Sequence, residues 1–193
     1  MNEVSEPSKP SGVLVRGSGV AAHCSALLLD REGIPVTLED SGRARVPALM
    51  IGDATQALIG DVFSRPGLFA GLHRIERRIV AWGADAEPKP LAHSAVVLSE
   101  EQLSERLRPA LSSSTLVPQW TIQAAPPLPA DVTEHHFGSR TAWAAAVLLR
   151  DEVDSANCWI ESLENGWLFL IPNSPSEAWL LSVGHPPDRK SVV

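Results

Sequence analysis

The 193-residue sequence holds no tyrosine, two cysteines and two methionines, and each scarcity narrows what the chain can be. Cys24 and Cys158 are too few and too far apart for a disulfide framework or a thiolate zinc site, so both are expected as buried thiols and no metal is expected. Long apolar runs are also missing. The longest, Ala142 to Leu149, falls well short of the roughly 20 residues that span a bilayer, so no membrane partner is expected. Residues 1–11 are polar and lack the apolar core of a secretion signal; they are expected as a disordered tail, and the chain as cytoplasmic. Positive charge never gathers into a stripe, and a formal net charge of −7 argues against nucleic acid as a partner.

What is present is the composition of a globular protein, 44% hydrophobic and 20% charged, with room for one domain and a sizeable core, or one domain and part of another. The most informative stretch lies near the start. Gly12 to Val15 is short, apolar and β-rich, and it leads into Gly17-Ser18-Gly19-Val20-Ala21-Ala22, which fits G-x-G-x-x-G/A. In that pattern Gly17 permits a tight turn, Gly19 lets a pyrophosphate approach the backbone, and Ala22 lets the following helix lie close on its strand. Ala21, Ser25 and Ala26 keep the helix surface thin. The free N–H groups at the start of that helix would face the phosphates. Gly33-Ile-Pro35 ends the helix, and a second strand ends in Glu39-Asp40, with Glu39 lying 39 − 17 = 22 residues after the first glycine, where a ribose-binding carboxylate belongs. An acid here favours FAD or NAD over NADP. The plainer reading is an ordinary β-to-α turn and a solvated strand end. His23 either approaches a phosphate or caps the helix surface.

Further along, Asp53 to Phe63 has apolar residues at helical spacing, with Asp53 as N-cap, and a second short helix is expected over Gly67 to Leu72. Arg74 to Trp82 and Ala95 to Leu98 read as strands, and Ser99-Glu-Glu-Gln102 opens a helix carrying Leu103, Leu107 and Leu111. Prolines at 118, 126, 127 and 129 allow only a strand around Trp120-Thr-Ile122. From residue 141 four strand candidates follow, 142–149, 158–163, 167–171 and 178–183. They predict an antiparallel meander with an Asn165-Gly166 hairpin. The fold class that results is α/β with an α+β elaboration: a Rossmann-like FAD/NAD(P)-binding βαβ unit with an antiparallel β-sheet layer. The expected division is a dinucleotide-binding region over 12–115 and a substrate-side sheet over 116–193.

Other residue groups carry weaker signals. His135-His136 could be a metal pair or an acid/base, but adjacent histidines on extended chain point to opposite sides. Asp151 to Asp154 lacks the glycine and distal glutamate of a calcium loop and reads as a solvated turn. Trp159, Trp167 and Trp179 lie in neighbouring strand candidates, where they either cover a planar ring or pack across the sheet.

Several of these stretches agree with one family. Ile51-Gly-Asp-Ala-Thr55 is similar to a Gly-Glu-Ala-Thr stretch, Gly166-Trp-Leu-Phe-Leu-Ile-Pro172 to the signature W-x-W-x-I-P, and Arg78 to Trp82 followed by Ser99 to Leu107 keeps the same order. Together with the glycine loop they resemble the FAD-dependent monooxygenase superfamily, and within it the flavin-dependent tryptophan halogenases, over nearly all of residues 12–184. The resemblance implies FAD as cofactor, held by Gly17, Ser18, Gly19, Val20, Ala21, Ala22, Glu39 and Asp40. It also implies oxidation of an aromatic or indole-like substrate, a small molecule or a tryptophan-containing protein. Three departures accompany it. Of the 16 basic residues only Lys9, Lys89 and Lys190 are lysines, so the halogenase lysine has no counterpart near Arg78; Phe169 replaces the second tryptophan; and no late Gly-Asp flavin motif follows the strands. These departures open an alternative, a truncated, non-catalytic nucleotide-binding or interaction protein, in which exposed sheet surface would favour a homo-oligomer or a partner chain.

Overall fold

A computed structural model describes residues 11–83, 87–111, 117–131 and 140–184; residues 1–10 of the expected tail and the pair His135-His136 lie outside the described residues. Along the chain the elements are β1 (Ser11–Arg16), α1 (Val20–Arg31), β2 (Val36–Glu39), β3 (Leu49–Gly52) and α2 (Asp53–Phe63). Next come β4 (His73–Ala81), β5 (Lys89–Leu98), α3 (Glu100–Leu107) and β6 (Val117–Gln123). Finally come β7 (Thr141–Leu148), a 3-10 turn (Glu152–Ala156), β8 (Asn157–Leu163), β9 (Gly166–Pro172) and β10 (Glu177–Gly184). They form two compact units that interleave in sequence. The first takes the described residues up to Arg45, Val62–Ser64 and those from Glu100 to Asp131; the second takes Val46–Asp61, the described residues from Arg65 to Ser99 and those from Arg140 on.

The first unit is a three-stranded parallel sheet in the order β2-β1-β6. β1 is its middle strand, paired with β2 from Val13↔Val36 to Arg16↔Glu39 and with β6 from Ser11↔Val117 to Arg16↔Gln123. Val13, Val15 and Val36 meet Ala22 and Ala26 of α1 in the core. Small side chains on α1 let the helix lie close to the sheet, as the sequence predicts for Ala22 and Ala26, whereas Ala21 is exposed. α1 ends where Gly33 takes a φ of +72° and donates its N–H to the Asp30 carbonyl at 3.0 Å, a conformation only glycine adopts at little cost.

The second unit is a seven-stranded sheet in the order β3-β5-β4-β8-β9-β10-β7. Its one parallel junction is β4 with β8; the other neighbours are antiparallel. Ile75, Ala95, Val97, Cys158 and Ile171 form its core, with Phe169 packed against them. The mixed α/β architecture with an antiparallel layer matches the sequence reading, and several local expectations change. β8, β9 and β10 form the meander, but β7 pairs with β10 from Thr141↔Gly184 to Leu148↔Glu177, so the strand that comes first lies at the far edge. No short helix spans Gly67 to Leu72. The segment is a run of turns in which Gly67 and Gly71 take φ values of +77° and +74°, conformations that break a helical ladder. The hairpin turn is Glu164-Asn165, and Gly166 is already the first residue of β9. A Cβ on Gly166 would sit 1.9 Å from the Val183 carbonyl oxygen, so close strand approach rather than turn geometry requires the glycine. α2 begins at Asp53 itself, β5 starts six residues before the predicted Ala95, and Cys24 is half-buried while Cys158 is fully buried. Among the described residues no helix is long and apolar enough to cross a membrane.

Candidate nucleotide-binding site

The glycine loop sits at the carboxyl ends of β1 and β2, where open parallel sheets place their ligands. Gly17 takes a φ of +143°, and its N–H donates to the Glu39 carbonyl at 2.8 Å, tying the loop to the end of β2. The Ala124 N–H likewise donates to the Arg16 carbonyl at 2.8 Å. A Cβ at Gly17 would meet the Ala124 carbonyl carbon, Ala124 Cβ and Ala22 Cβ, each at 3.3 Å. Gly17 is therefore fixed by the fold.

Gly19 is different. It is the N-cap of α1 with an ordinary φ of −87°, and the nearest atom to an added Cβ is Glu100 Oε1 at 3.7 Å, an ordinary contact. Neither conformation nor crowding requires glycine there. The first turn of α1 has no acidic residue, and its N-cap, a glycine, has no side chain to bond the first N–H groups, which leaves them suited to an anion.

A cavity of about 440 Å³, within the usual range for small-molecule sites, is lined by Gly17 and Ser18 of this loop. Val36, Leu38 and Leu111 give it an apolar wall; Gly17, Ser18, His23, Asp40, Arg45 and Arg108 bring backbone, hydroxyl, imidazole and charge. Ser18 and His23 are both almost wholly buried, and neither Ser18 Oγ nor His23 Nδ1 has a hydrogen-bond partner. Buried polar atoms that line a cavity and lack a protein partner are suited to a ligand's polar atoms. The other His23 nitrogen, Nε2, lies 2.9 Å from Ser104 Oγ, joining α1 to α3. Burial, reinforced by the Arg108 guanidinium, holds the imidazole below its ordinary value and favours its neutral form. The Ser18 backbone and the Asp40 carboxylate pull more weakly the other way.

The two acids after β2 part company. Glu39 is half exposed, with its carboxylate 3.5 Å from Arg16 Nε, and it does not line the cavity. Asp40 does. Its carboxylate accepts the Gly42 N–H at 3.0 Å and an Arg45 N–H at 2.6 Å, and those two bonds hold it below the usual carboxylate range. Spacing alone predicts Glu39; the acid that lines the cavity is the next residue, just past the end of β2. Sequence reasoning also missed Arg45, Ser104 and Arg108. Arg43 pairs with the buried carboxylate of Glu100 at the start of α3, 57 residues away, through two guanidinium N–H groups. No spacing rule connects such distant residues.

In the second unit Arg78 lies on β4, paired in register with Cys158, and one of its N–H groups reaches His93 Nε2 at 3.3 Å. Burial, with Arg78 adding to it, holds His93 low, and burial pushes the Cys158 thiol up. Of the three tryptophans, Trp167 and Trp179 share a sheet face with Phe169 and Ile171, whereas Trp159 pairs with Leu170 on the opposite face and its ring N–H reaches Glu161 at 3.2 Å. They therefore do not form one three-ring cover. Among the described residues no group of three or more His, Cys, Asp or Glu could hold a metal ion.

The sequence matches no protein-family model and no curated protein. The fold does have counterparts among solved structures. Peptidyl tryptophan dihydroxylase QhpG, essential for tryptophylquinone cofactor biogenesis, matches with a TM-score of 0.66 at 14% identity, over 97% of this chain and 47% of that one. A variant of HpxO from Klebsiella pneumoniae, complexed with FAD, matches with a TM-score of 0.63 at 10% identity, over 93% of this chain and 58% of that one. CmlS, a flavin-dependent halogenase, matches with a TM-score of 0.65 at 16% identity, over 93% of this chain and 42% of that one. This chain thus spans about half the length of the structures it resembles. Over that span, its fold is that of the FAD-dependent monooxygenases and flavin-dependent halogenases.

Proposed function

We propose that the protein binds FAD through its adenosine diphosphate half and belongs functionally with flavoprotein monooxygenases that act on an aromatic or indole-like group, such as a peptidyl tryptophan. One observation carries the nucleotide reading: two orphaned, buried polar atoms, Ser18 Oγ and His23 Nδ1, line a cavity beside a glycine loop whose second glycine the fold itself does not require. The residues fit the group. The α1 N-terminus and the Gly17-Ser18-Gly19 backbone offer donors to the diphosphate, Val20, Ala21 and Ala22 carry the first turn that aims them, and Asp40 is placed to accept from ribose hydroxyls. Val36, Leu38 and Leu111 offer an apolar surface to the base. Bound flavin supplies the oxidation chemistry; this chain supplies position, exclusion of water and fixed charge. The indole-like substrate rests on the fold likeness to QhpG, whose name gives peptidyl tryptophan as its substrate. A cytoplasmic site of action, with Cys24 and Cys158 free, belongs to the same reading.

Calorimetric titration of the full chain with ADP and with FAD tests it. Binding of both is expected, with Asp40→Ala weakening it and Glu39→Ala changing it little. Titrations that show no heat for either ligand at millimolar concentration would remove the nucleotide assignment; a loss confined to Glu39→Ala would move the ribose site back to the strand end.

A further inference from the structure

The space over the α1 N-terminus is bordered by a negative charge of the protein's own. Glu100 is 6% exposed, and its Oε1 lies 3.7 Å from where a Cβ on Gly19 would be. That places a buried carboxylate beside the start of α1, whose N-cap is a glycine and whose helix N–H groups favour an anion. Its charge is matched by Arg43, which binds both carboxylate oxygens and is itself partly exposed. Ser18, the residue before Gly19, keeps its buried hydroxyl free on the cavity side of the same loop. A phosphate brought to these donors would meet Glu100 as a like charge in a poorly solvated place, and Arg43 as a cation already engaged.

We propose that Glu100 and Arg43 set the affinity of the site: Glu100 is an internal anion seated at the α1 N-terminus, and an incoming diphosphate must displace it and take over Arg43. The inference rests on the nucleotide reading of the preceding section. It makes the dinucleotide a ligand that exchanges, held more weakly than the loop, helix and cavity would hold it without Glu100. No covalent step is involved; one anion replaces another on the same donors.

The test titrates ADP into the full-length protein and into Glu100→Gln, which keeps the shape and hydrogen-bonding reach of the side chain and removes its charge. Removing a like charge close to a diphosphate is expected to tighten ADP binding by about tenfold or more. Adenosine, which has no phosphate, is expected to bind both proteins equally. ADP binding to Glu100→Gln that is unchanged or weaker overturns the proposal, a weaker result identifying Glu100 as a direct ligand contact. A second measurement needs no substitution: the Arg43 Nε–H resonance of the isotope-labelled protein should move on ADP addition, because its partner changes. An Arg43 signal that stays in place while ADP binds overturns the exchange. If neither protein binds ADP at millimolar concentration, the nucleotide reading fails first and carries this inference with it.

Discussion

Alanine at Gly17 and at Gly19 should separate two reasons for a glycine. At Gly17 an alanine would have to hold a φ of +143°, and its Cβ would meet three carbon atoms at 3.3 Å, one of them main chain. Backbone strain of this kind costs about 1–3 kcal/mol. Taking about 2 kcal/mol, with roughly 2–4 °C of Tm per kcal/mol for a chain of this size, Gly17→Ala should melt about 4–8 °C lower. At Gly19 the φ of −87° suits any residue, and the nearest contact at 3.7 Å is ordinary. An alanine there forgoes only a modest preference at the N-cap, on the order of 0.5–1 kcal/mol, so Tm should fall by no more than about 4 °C. Ligand binding should rank differently. The methyl group of Gly19→Ala enters the space over the helix start, and ADP affinity should drop by about tenfold or more in a protein that still melts nearly as the parent does. Thermal unfolding followed by circular dichroism, paired with ADP calorimetry on the same preparations, reads both. The reasoning fails if Gly19→Ala is as unstable as Gly17→Ala, or if it binds ADP as the parent does.

Four further expectations follow from other parts of the molecule. Gly166→Ala should destabilise the second unit by about 1–3 kcal/mol, since a Cβ 1.9 Å from the Val183 carbonyl oxygen forces β9 and β10 apart; a melting curve that matches the parent's refutes this. His23 is held below its ordinary value of 6.5, so the unfolded chain binds a proton that the folded chain resists. Stability should therefore be full above about pH 6.5 and fall as the pH drops toward the folded value, and His23→Gln should flatten that slope, while His93 contributes in the same direction through the second unit. Reduced FAD, oxygen and halide should yield no halogenated tryptophan, because β4 carries no lysine; mass spectrometry of the product reads the result. The chain should self-associate through its exposed apolar strands, with Trp120 73% exposed on β6 and Leu148 81% on β7. Trp120→Lys should lower the mass seen by light scattering if β6 is a contact.

What was legible in the sequence was local. The glycine loop, α1 and its Gly33 terminus follow from side-chain size and backbone freedom within a dozen residues, and the structure puts them where those rules predict. α2 spans the predicted Asp53–Phe63 because its apolar spacing and the break after it are both local signals. Of the two acids expected at the end of β2, Asp40 lines the cavity and Glu39 does not, a difference of one residue that counting from the first glycine does not resolve. The edge position of β7 depends on which strand it finds, and the pairs Arg43–Glu100 and His23–Ser104 join residues far apart in sequence. Gly67 to Leu72 misled because its apolar residues suit a helix while its two glycines, at positive φ, do not.

The interleaving of the two units has a consequence for how the protein is made. The middle strand of the parallel sheet, β1, is made before its partner β6, which ends at Gln123, and between the two the chain supplies β3, β4 and β5 to the other unit. The glycine loop is fastened on one side by the Ala124 N–H, and Glu100 and Ser104 arrive only with α3. A nascent chain that has reached only the end of β5 therefore holds every part of the nucleotide motif and lacks the strand and helix that close around it. During synthesis β1 presents an open edge for many residues, a period in which a chaperone has something to hold. No single cut in the chain yields either unit whole, so fragments expressed separately should fail to fold while co-expressed fragments retain a route to the native pairing.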